Sequence, residues 1–149
     1  MKNLDHKENK VNAQSTITPH KNIEKFFPGP RVVDGSNEPI SKQEAVHLAA
    51  IMQTIPNLTS VNLNSSALTP ATLELISAGI SHQSTITAFD IGDNPHVFDT
   101  TSSWRISTLV DAIDKQNALT SINFCGIQLQ PHILRLLAPA LSSKPIKYP

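Results

Sequence analysis

Leu58-Thr-Ser-Val61-Asn-Leu63 is the stretch that decides the fold, because its pattern occurs three times in the chain. Ile86-Thr-Ala-Phe89-Asp-Ile91 begins 28 residues later, and Leu119-Thr-Ser-Ile122-Asn-Phe124 begins 33 residues after that. Apolar and polar residues that alternate over a short run are typical of a β-strand with one buried face. The three hexamers therefore predict three equivalent strands.

A helix is predicted after each strand. Each hexamer is followed by a turn and then by two apolar residues four positions apart, a spacing that puts both on one face of a helix. The pairs are Ile76 with Ile80, Leu109 with Ile113, and Leu137 with Leu141. Each unit thus has six template positions: the three apolar positions of the hexamer, the residue five positions after the hexamer, and the helical pair. Across the three units 17 of these 18 positions are apolar, His96 being the exception. Strand and helix therefore alternate.

A weaker unit precedes these three. Val33, Ile40, Leu48 and Met52 each lie 28 residues before a template position of the next unit. Another unit carries five extra residues, which we place in 97–103, since insertions in repeats usually form loops. The packed region is thus predicted to contain four units, near residues 30–57, 58–85, 86–118 and 119–143.

Helix starts agree with this arrangement. Ser41-Lys-Gln-Glu44 matches a capping box, in which a hydroxyl and a carboxylate satisfy free N–H groups of the first turn. Thr69-Pro70 places a capping hydroxyl before a proline at the first helical position, and Gln130-Pro131 repeats the proline. Local signals and the repeat period support the same helices.

Composition limits the class of protein. The 149 residues include 12 Lys and Arg and 12 Asp and Glu, so the net charge is zero. Because nucleic-acid-binding proteins usually carry an excess of positive charge, a nucleic acid partner is not expected. Residues 1–25 are mostly polar and predict a disordered tail, and 26–149 predict one repeat domain. The single cysteine excludes an intramolecular disulfide framework and favours an intracellular protein. No signal peptide or membrane span is recognised, and the low charge would suit a bacterial protein delivered to a host cell.

The pattern LxxLxLxx(N)xL followed by a helix, at 28 to 29 residues per unit, resembles the ribonuclease-inhibitor class of leucine-rich repeats over about residues 31–143. The resemblance implies an α/β solenoid with a parallel sheet on its concave face and helices on its convex face. It also implies protein binding as the general function. The position usually held by Asn is Ser66, Asn94 and Ile127 here, so most of the family's side-chain ladder is missing.

The residues between the buried strand positions should face the other side of the sheet and stack in columns. This surface is small, polar and mildly acidic, and it predicts a shallow groove for basic or amide side chains of a protein partner. The candidate partner-binding residues are Asp34, Ser60, Asn62, Asn64, Asp90, Asp93, Ser121, Asn123 and Trp104. The first column is Asp34, Asn62, Asp90 and Asn123, the second is Ser60, Ala88 and Ser121, and the third is Asn64, Gly92 and Cys125. Phe98 is a second candidate aromatic anchor beside Trp104.

Two alternatives stay open for this face. The column residues can be ordinary solvated strand residues, and Trp104 can pack the start of its helix. If the face binds a partner, changing Asp34 and Asp90 to Lys should weaken capture and leave thermal stability nearly unchanged.

The last helix suggests a different interaction. Arg135 is the only charged residue from 127 to 143, and Leu134 and Leu136 add to the apolar residues expected in the core. A terminal repeat normally needs a polar cap. This end therefore predicts self-association through Leu134 and Leu136, a fragment of a longer array, or a tail that folds back.

Catalytic chemistry is not expected. The six histidines do not have metal-site spacing, Glu44 and His47 form only one pair, and Cys125 has no histidine in adjacent columns to act as its base. No phosphate-binding loop or serine-nucleophile motif occurs, so neither a metal nor a cofactor is predicted. The resembling repeat class also contains proteins that activate the GTPase Ran, and this regulatory role is the distant alternative to a binding scaffold.

Overall fold

The computed structural model describes the backbone of residues 23–99 and 103–146, together with their side chains except those of 103 and 104. In these residues a short 3-10 helix (Glu24–Phe26) comes first, and strand and helix then alternate four times. The strands are β1 (Val32–Asp34), β2 (Ser60–Asn62), β3 (Ala88–Asp90) and β4 (Ser121–Asn123). The helices are α1 (Lys42–Met52), α2 (Pro70–Ile80), α3 (Ser103–Asp114) and α4 (Pro131–Ser142).

The four strands form one parallel sheet in chain order. Val33, Val61, Phe89 and Ile122 stand side by side at its centre, in the register that the 28-residue and 33-residue spacings predict. Each connection between neighbouring strands contains a helix, because parallel strands need a long crossover. The predicted α/β class with a parallel sheet is therefore confirmed.

The core lies between the sheet and the helices. Consecutive helices pack side by side, and the first member of each predicted helical pair is fully buried. A Cβ atom at Gly79 would lie 2.7 Å from the Cα of Ala49, so the missing side chain lets α2 approach α1 closely. The repeat period thus sets the packing of the helices as well as that of the strands.

Two of the predicted helix starts carry the expected caps. The Ser41 hydroxyl accepts from the Glu44 N–H at 3.1 Å, and the Glu44 carboxylate accepts from the Ser41 N–H at 2.9 Å. Thr69 and Thr72 form the same reciprocal pair at the start of α2. Gln130 makes no side-chain cap bond, so at α4 only the proline signal applies.

A left-handed residue follows every strand at the same position. Asn37, Ser65, Asp93 and Gly126 each have positive φ, between 52° and 71°, and each comes three residues after the last strand residue. This conformation is uncommon outside glycine, although Asn and Asp tolerate it. The turn that leaves the sheet is therefore repeated in all four units, including those that lack the usual Asn.

Asn94 shows how one side chain connects two of these turns. Its Oδ1 accepts from the N–H groups of Ser66 and Leu68 at 3.0 and 2.9 Å, and its Nδ2 donates to the carbonyl of Leu63 at 2.9 Å. The buried Ser66 hydroxyl donates to the carbonyl of Gly35 at 2.6 Å. A single Asn and a Ser thus satisfy backbone groups that water cannot reach.

Two buried glutamines, which the sequence analysis did not single out, act at the opposite ends of the strands. Gln83 Nε2 donates to the carbonyls of Met52 and Ile55 at 2.6 and 2.7 Å. One unit later, Gln116 Nε2 donates to the carbonyls of Gln83 and Ile80 at 2.7 and 3.2 Å. They tie the residues that follow α2 and α3 to the C-terminal end of the preceding helix and to the loop after it.

The packed region begins before the predicted boundary at residue 26. Ile23, assigned from the sequence to the tail, is fully buried, as is Phe26. The rest of the predicted tail, residues 1–22, lies outside the described residues. The 3-10 helix contacts β1, so this segment belongs to the domain.

Candidate functional site

The sheet face turned away from the helices carries most of the residues that were predicted to bind a partner. Asp34, Asn62, Asp90 and Asn123 are mutual register partners at the ends of the four strands. We call these four residues the Asx row. Each is partly exposed, while in the first three strands the residue before it is buried. The predicted first column is therefore an actual row across the sheet.

A shallow groove crosses this face. Its volume is about 200 Å³, and five of the nine candidate residues line it: Ser60, Asn62, Asp90, Ser121 and Asn123. Ala88, Val61 and Phe89 complete the lining. Ser60, Ala88 and Ser121, the small side chains that we call its floor, line the groove together with Asn62, Asp90 and Asn123 of the Asx row.

Every member of the Asx row also closes a local turn. The Oδ1 atom accepts from the N–H two residues later, at 3.0 Å for Asp34 and Asn62 and at 2.8 Å for Asp90 and Asn123. Asp and Asn favour turns because their short side chains reach the backbone in this way. These residues therefore hold the fold as well as facing solvent, a role that the sequence analysis missed although the recurring Asx before each turn was a signal for it.

Asp90 is the hub of the row. Asn123 Nδ2 donates to both of its carboxylate oxygens at 3.1 Å, and Asn64 Nδ2 donates to Oδ1 at 3.2 Å. A Cβ atom at residue 92 would lie 2.8 Å from both of these amide nitrogens, so Gly92 leaves the space in which they reach Asp90. The carboxylate is thereby fixed in position rather than free to rotate.

The charge of the groove comes from Asp90. No Lys or Arg is among the residues that line it, and the other polar groups there are amides and hydroxyls. Oδ1 of Asp90 accepts three hydrogen bonds among the described residues, whereas Oδ2 accepts one. Since a carboxylate oxygen has two lone pairs, Oδ2 keeps acceptor capacity toward solvent.

The remaining candidates are more scattered. Asp34 lies on the edge strand and accepts from both the N–H and the hydroxyl of Ser36. Asp93 is exposed in its left-handed turn and lies beside Gly126. A Cβ atom at residue 126 would collide with Asp93. The side chain of Trp104, in α3, lies outside the described residues. Phe98 was a candidate aromatic anchor, but it is only 9% exposed and packs in the core, so it does not offer an exposed anchor.

The two candidates for self-association differ. Leu134 is 46% exposed, whereas Leu136 is partly buried against the core. Position 136 corresponds to His47, Leu75 and Thr108 of the earlier helices, which are all partly buried too. Leu136 therefore occupies an ordinary position of the repeat, and Leu134 is the unusual one.

The described residues contain no cluster of three or more His, Cys, Asp or Glu side chains that could hold a metal ion. His96 and Asp99 form an exposed pair at 2.8 Å. The thiol of Cys125 is free and exposed at the end of β4. Within the described ranges, no helix has the length and apolar character needed to cross a bilayer.

Comparisons with known proteins add no family. No protein-family model matches the chain, and a search of curated proteins finds no significant match.

Proposed function

We propose that this protein is a short leucine-rich-repeat solenoid of the ribonuclease-inhibitor class, and that it is a non-catalytic scaffold which binds a protein partner on its open, concave sheet face. The repeat assignment is supported by four units in one register, each with a strand, a left-handed turn and a helix. An intracellular location belongs to the proposal, supported by the free thiol of the single cysteine, Cys125.

The observation that carries the binding proposal is the groove around Asp90. It places one oriented carboxylate beside a floor of small side chains, with no basic residue in its lining. A surface of this kind is complementary to a Lys, Arg or amide side chain, and electrostatic complementarity mainly sets specificity and the association rate. The partner is therefore expected to present a basic segment.

The floor of the groove offers a better test than the Asx row, because changes in the row would also alter the turns. Ser121 is exposed in β4 and lines the groove, and its hydroxyl makes no hydrogen bond to the described part of the chain. Ser121→Arg adds bulk and a like charge for a basic partner at this point. Ser84→Arg makes the same change at an exposed position before β3.

The experiment is affinity capture with the intact chain, the Ser121→Arg variant and the Ser84→Arg control, followed by identification of the captured proteins. We expect one set of proteins to be retained by the wild type and Ser84→Arg and lost with Ser121→Arg. Rising salt should weaken capture, because exposed charge interactions are screened. Equal capture by all three proteins would contradict binding in the groove.

A further inference from the structure

The two ends of the stack of units differ. At the N-terminal end, Ile23 and Phe26 are fully buried, and the 3-10 helix that contains Phe26 contacts β1. Gly29 also makes an antiparallel bridge to Val32, the first residue of β1. The first unit is therefore covered by a segment of its own chain.

The C-terminal end lacks such a cover in the described residues. Leu134 occupies the position of Ala45, Leu73 and Ile106 in the earlier helices, whose exposures are 0%, 3% and 1%. Each of those earlier helices packs against a following helix, whereas no helix follows α4 in the part of the chain that is described. Leu134 is consequently 46% exposed.

The strand side of the last unit is also less buried than the strand side of the earlier units. Ile122 and Phe124 correspond to Phe89 and Ile91, which are buried, yet both are only partly buried. Leu141 is likewise partly buried, although its counterparts in all three earlier helices are buried. We define the open end as Ile122, Phe124, Leu134 and Leu141. The sequence thus keeps core-type side chains at positions where the earlier units are covered by a following layer.

The scarcity of charged residues near the open end limits what can cover this surface. After Lys115 the described residues contain Arg135 and Lys144 as their only charged side chains, and there is no Asp or Glu. A surface that is apolar and almost uncharged fits another apolar surface better than a charged one, because each buried charge would need a partner. A second open end has this property.

We propose that the open end binds the open end of a second copy of this chain, related by a twofold axis. Head-to-tail stacking would require a free N-terminal end, but Ile23 and Phe26 already cover β1. Open end against open end buries the apolar surfaces of both copies, and such an isologous contact closes as a dimer. If the twofold axis is perpendicular to β4, the two β4 strands run in opposite directions, and their outer edges can pair as antiparallel strands.

The test is the molar mass of the full chain in solution, measured by light scattering over a range of concentrations. For the wild type we expect twice the chain mass of 16.2 kDa, and for Leu134→Glu a single chain mass. Val46→Glu is the matched control, since Val46 is also 46% exposed but lies on α1 of the first unit. This control should remain a dimer.

A second measurement keeps the proposal testable if Leu134→Glu does not fold. A nitroxide on the single cysteine, Cys125, lies two residues beyond β4, so a dimer formed through the open ends brings two labels near each other. We expect a dipolar coupling between labels that disappears when labelled chain is diluted with unlabelled chain. A wild type of 16.2 kDa at its highest soluble concentration would overturn the proposal. Species that keep growing beyond a dimer, or no coupling in a dimer, would do the same.

Discussion

Asn123 and Asp90 lie side by side on β4 and β3, and the Asn123 amide nitrogen is 3.1 Å from both carboxylate oxygens of Asp90. The contact joins residues 33 positions apart, across the unit with the five extra residues. It fixes the only carboxylate in the lining of the groove. The same residues thus support the repeat and shape the surface on which we propose that a partner binds.

The contacts of Asp90 change what lysine substitution should do. We expect Asp90→Lys to lower the free energy of unfolding by roughly 2 kcal/mol or more, because it removes charge-assisted hydrogen bonds from two amides and a turn N–H. Asp34→Lys should cost less, since among the described residues Asp34 accepts only from Ser36. Urea denaturation of both variants measures the difference. Equal, small losses would favour the earlier expectation that neither change affects stability.

Asn94 should be among the most sensitive polar positions. Asn94→Ala leaves the buried N–H groups of Ser66 and Leu68 without their acceptor, and we expect a loss of roughly 2–4 kcal/mol in the free energy of unfolding. Asn117→Ala, at an exposed position after α3, is the control and should change stability by less than about 0.5 kcal/mol. Similar denaturation midpoints for the two variants would show that Asn94 does not hold the turns together.

Gly92 tests the space around the hub. Gly92→Ala would bring a methyl group to 2.8 Å from the amide nitrogens of Asn64 and Asn123, so we expect a loss of about 1–3 kcal/mol. Gly29→Ala is the control, because a Cβ at residue 29 meets nothing within 4 Å. NMR spectra of the Asn side-chain amides should shift in the first variant only. Unchanged amide signals in Gly92→Ala would contradict the geometry of the hub.

The helix caps give a matched pair of variants. Ser41→Ala removes a hydroxyl that accepts from the Glu44 N–H, and we expect a loss of about 1 kcal/mol in the free energy of unfolding. Gln130→Ala at the same position of α4 removes no cap bond and should be close to neutral. Thermal unfolding followed by circular dichroism measures both. A larger loss for Gln130→Ala would contradict the assigned caps.

Much of the fold was predictable because the hydrophobic positions recur at fixed spacing. The spacing of Val61, Phe89 and Ile122 gives the strand register, and the register alone aligns Asp90 with Asn123. Period and alternation are local properties of the sequence, so no tertiary information was needed for these predictions.

Other features depend on neighbours in space. Gln83 and Gln116 are buried because carbonyl groups of the preceding unit surround their amides, and in the sequence they look like ordinary surface residues. Phe98 lies within the stretch 97–103 to which the insertion was assigned, where the repeat gives no register, and its burial was therefore missed. The groove itself needs three strands at once, and pattern analysis treats each strand separately.

The central claim, that the groove binds a basic protein segment, is tested most directly by the dissociation constant of a captured partner for the wild type, Ser121→Arg and Ser84→Arg at two salt concentrations. We expect Ser121→Arg to bind at least about tenfold more weakly, equivalent to about 1.4 kcal/mol, and Ser84→Arg to bind like the wild type. Added salt should weaken wild-type binding more than that of Ser121→Arg. Equal dissociation constants for Ser121→Arg and the wild type would contradict the claim.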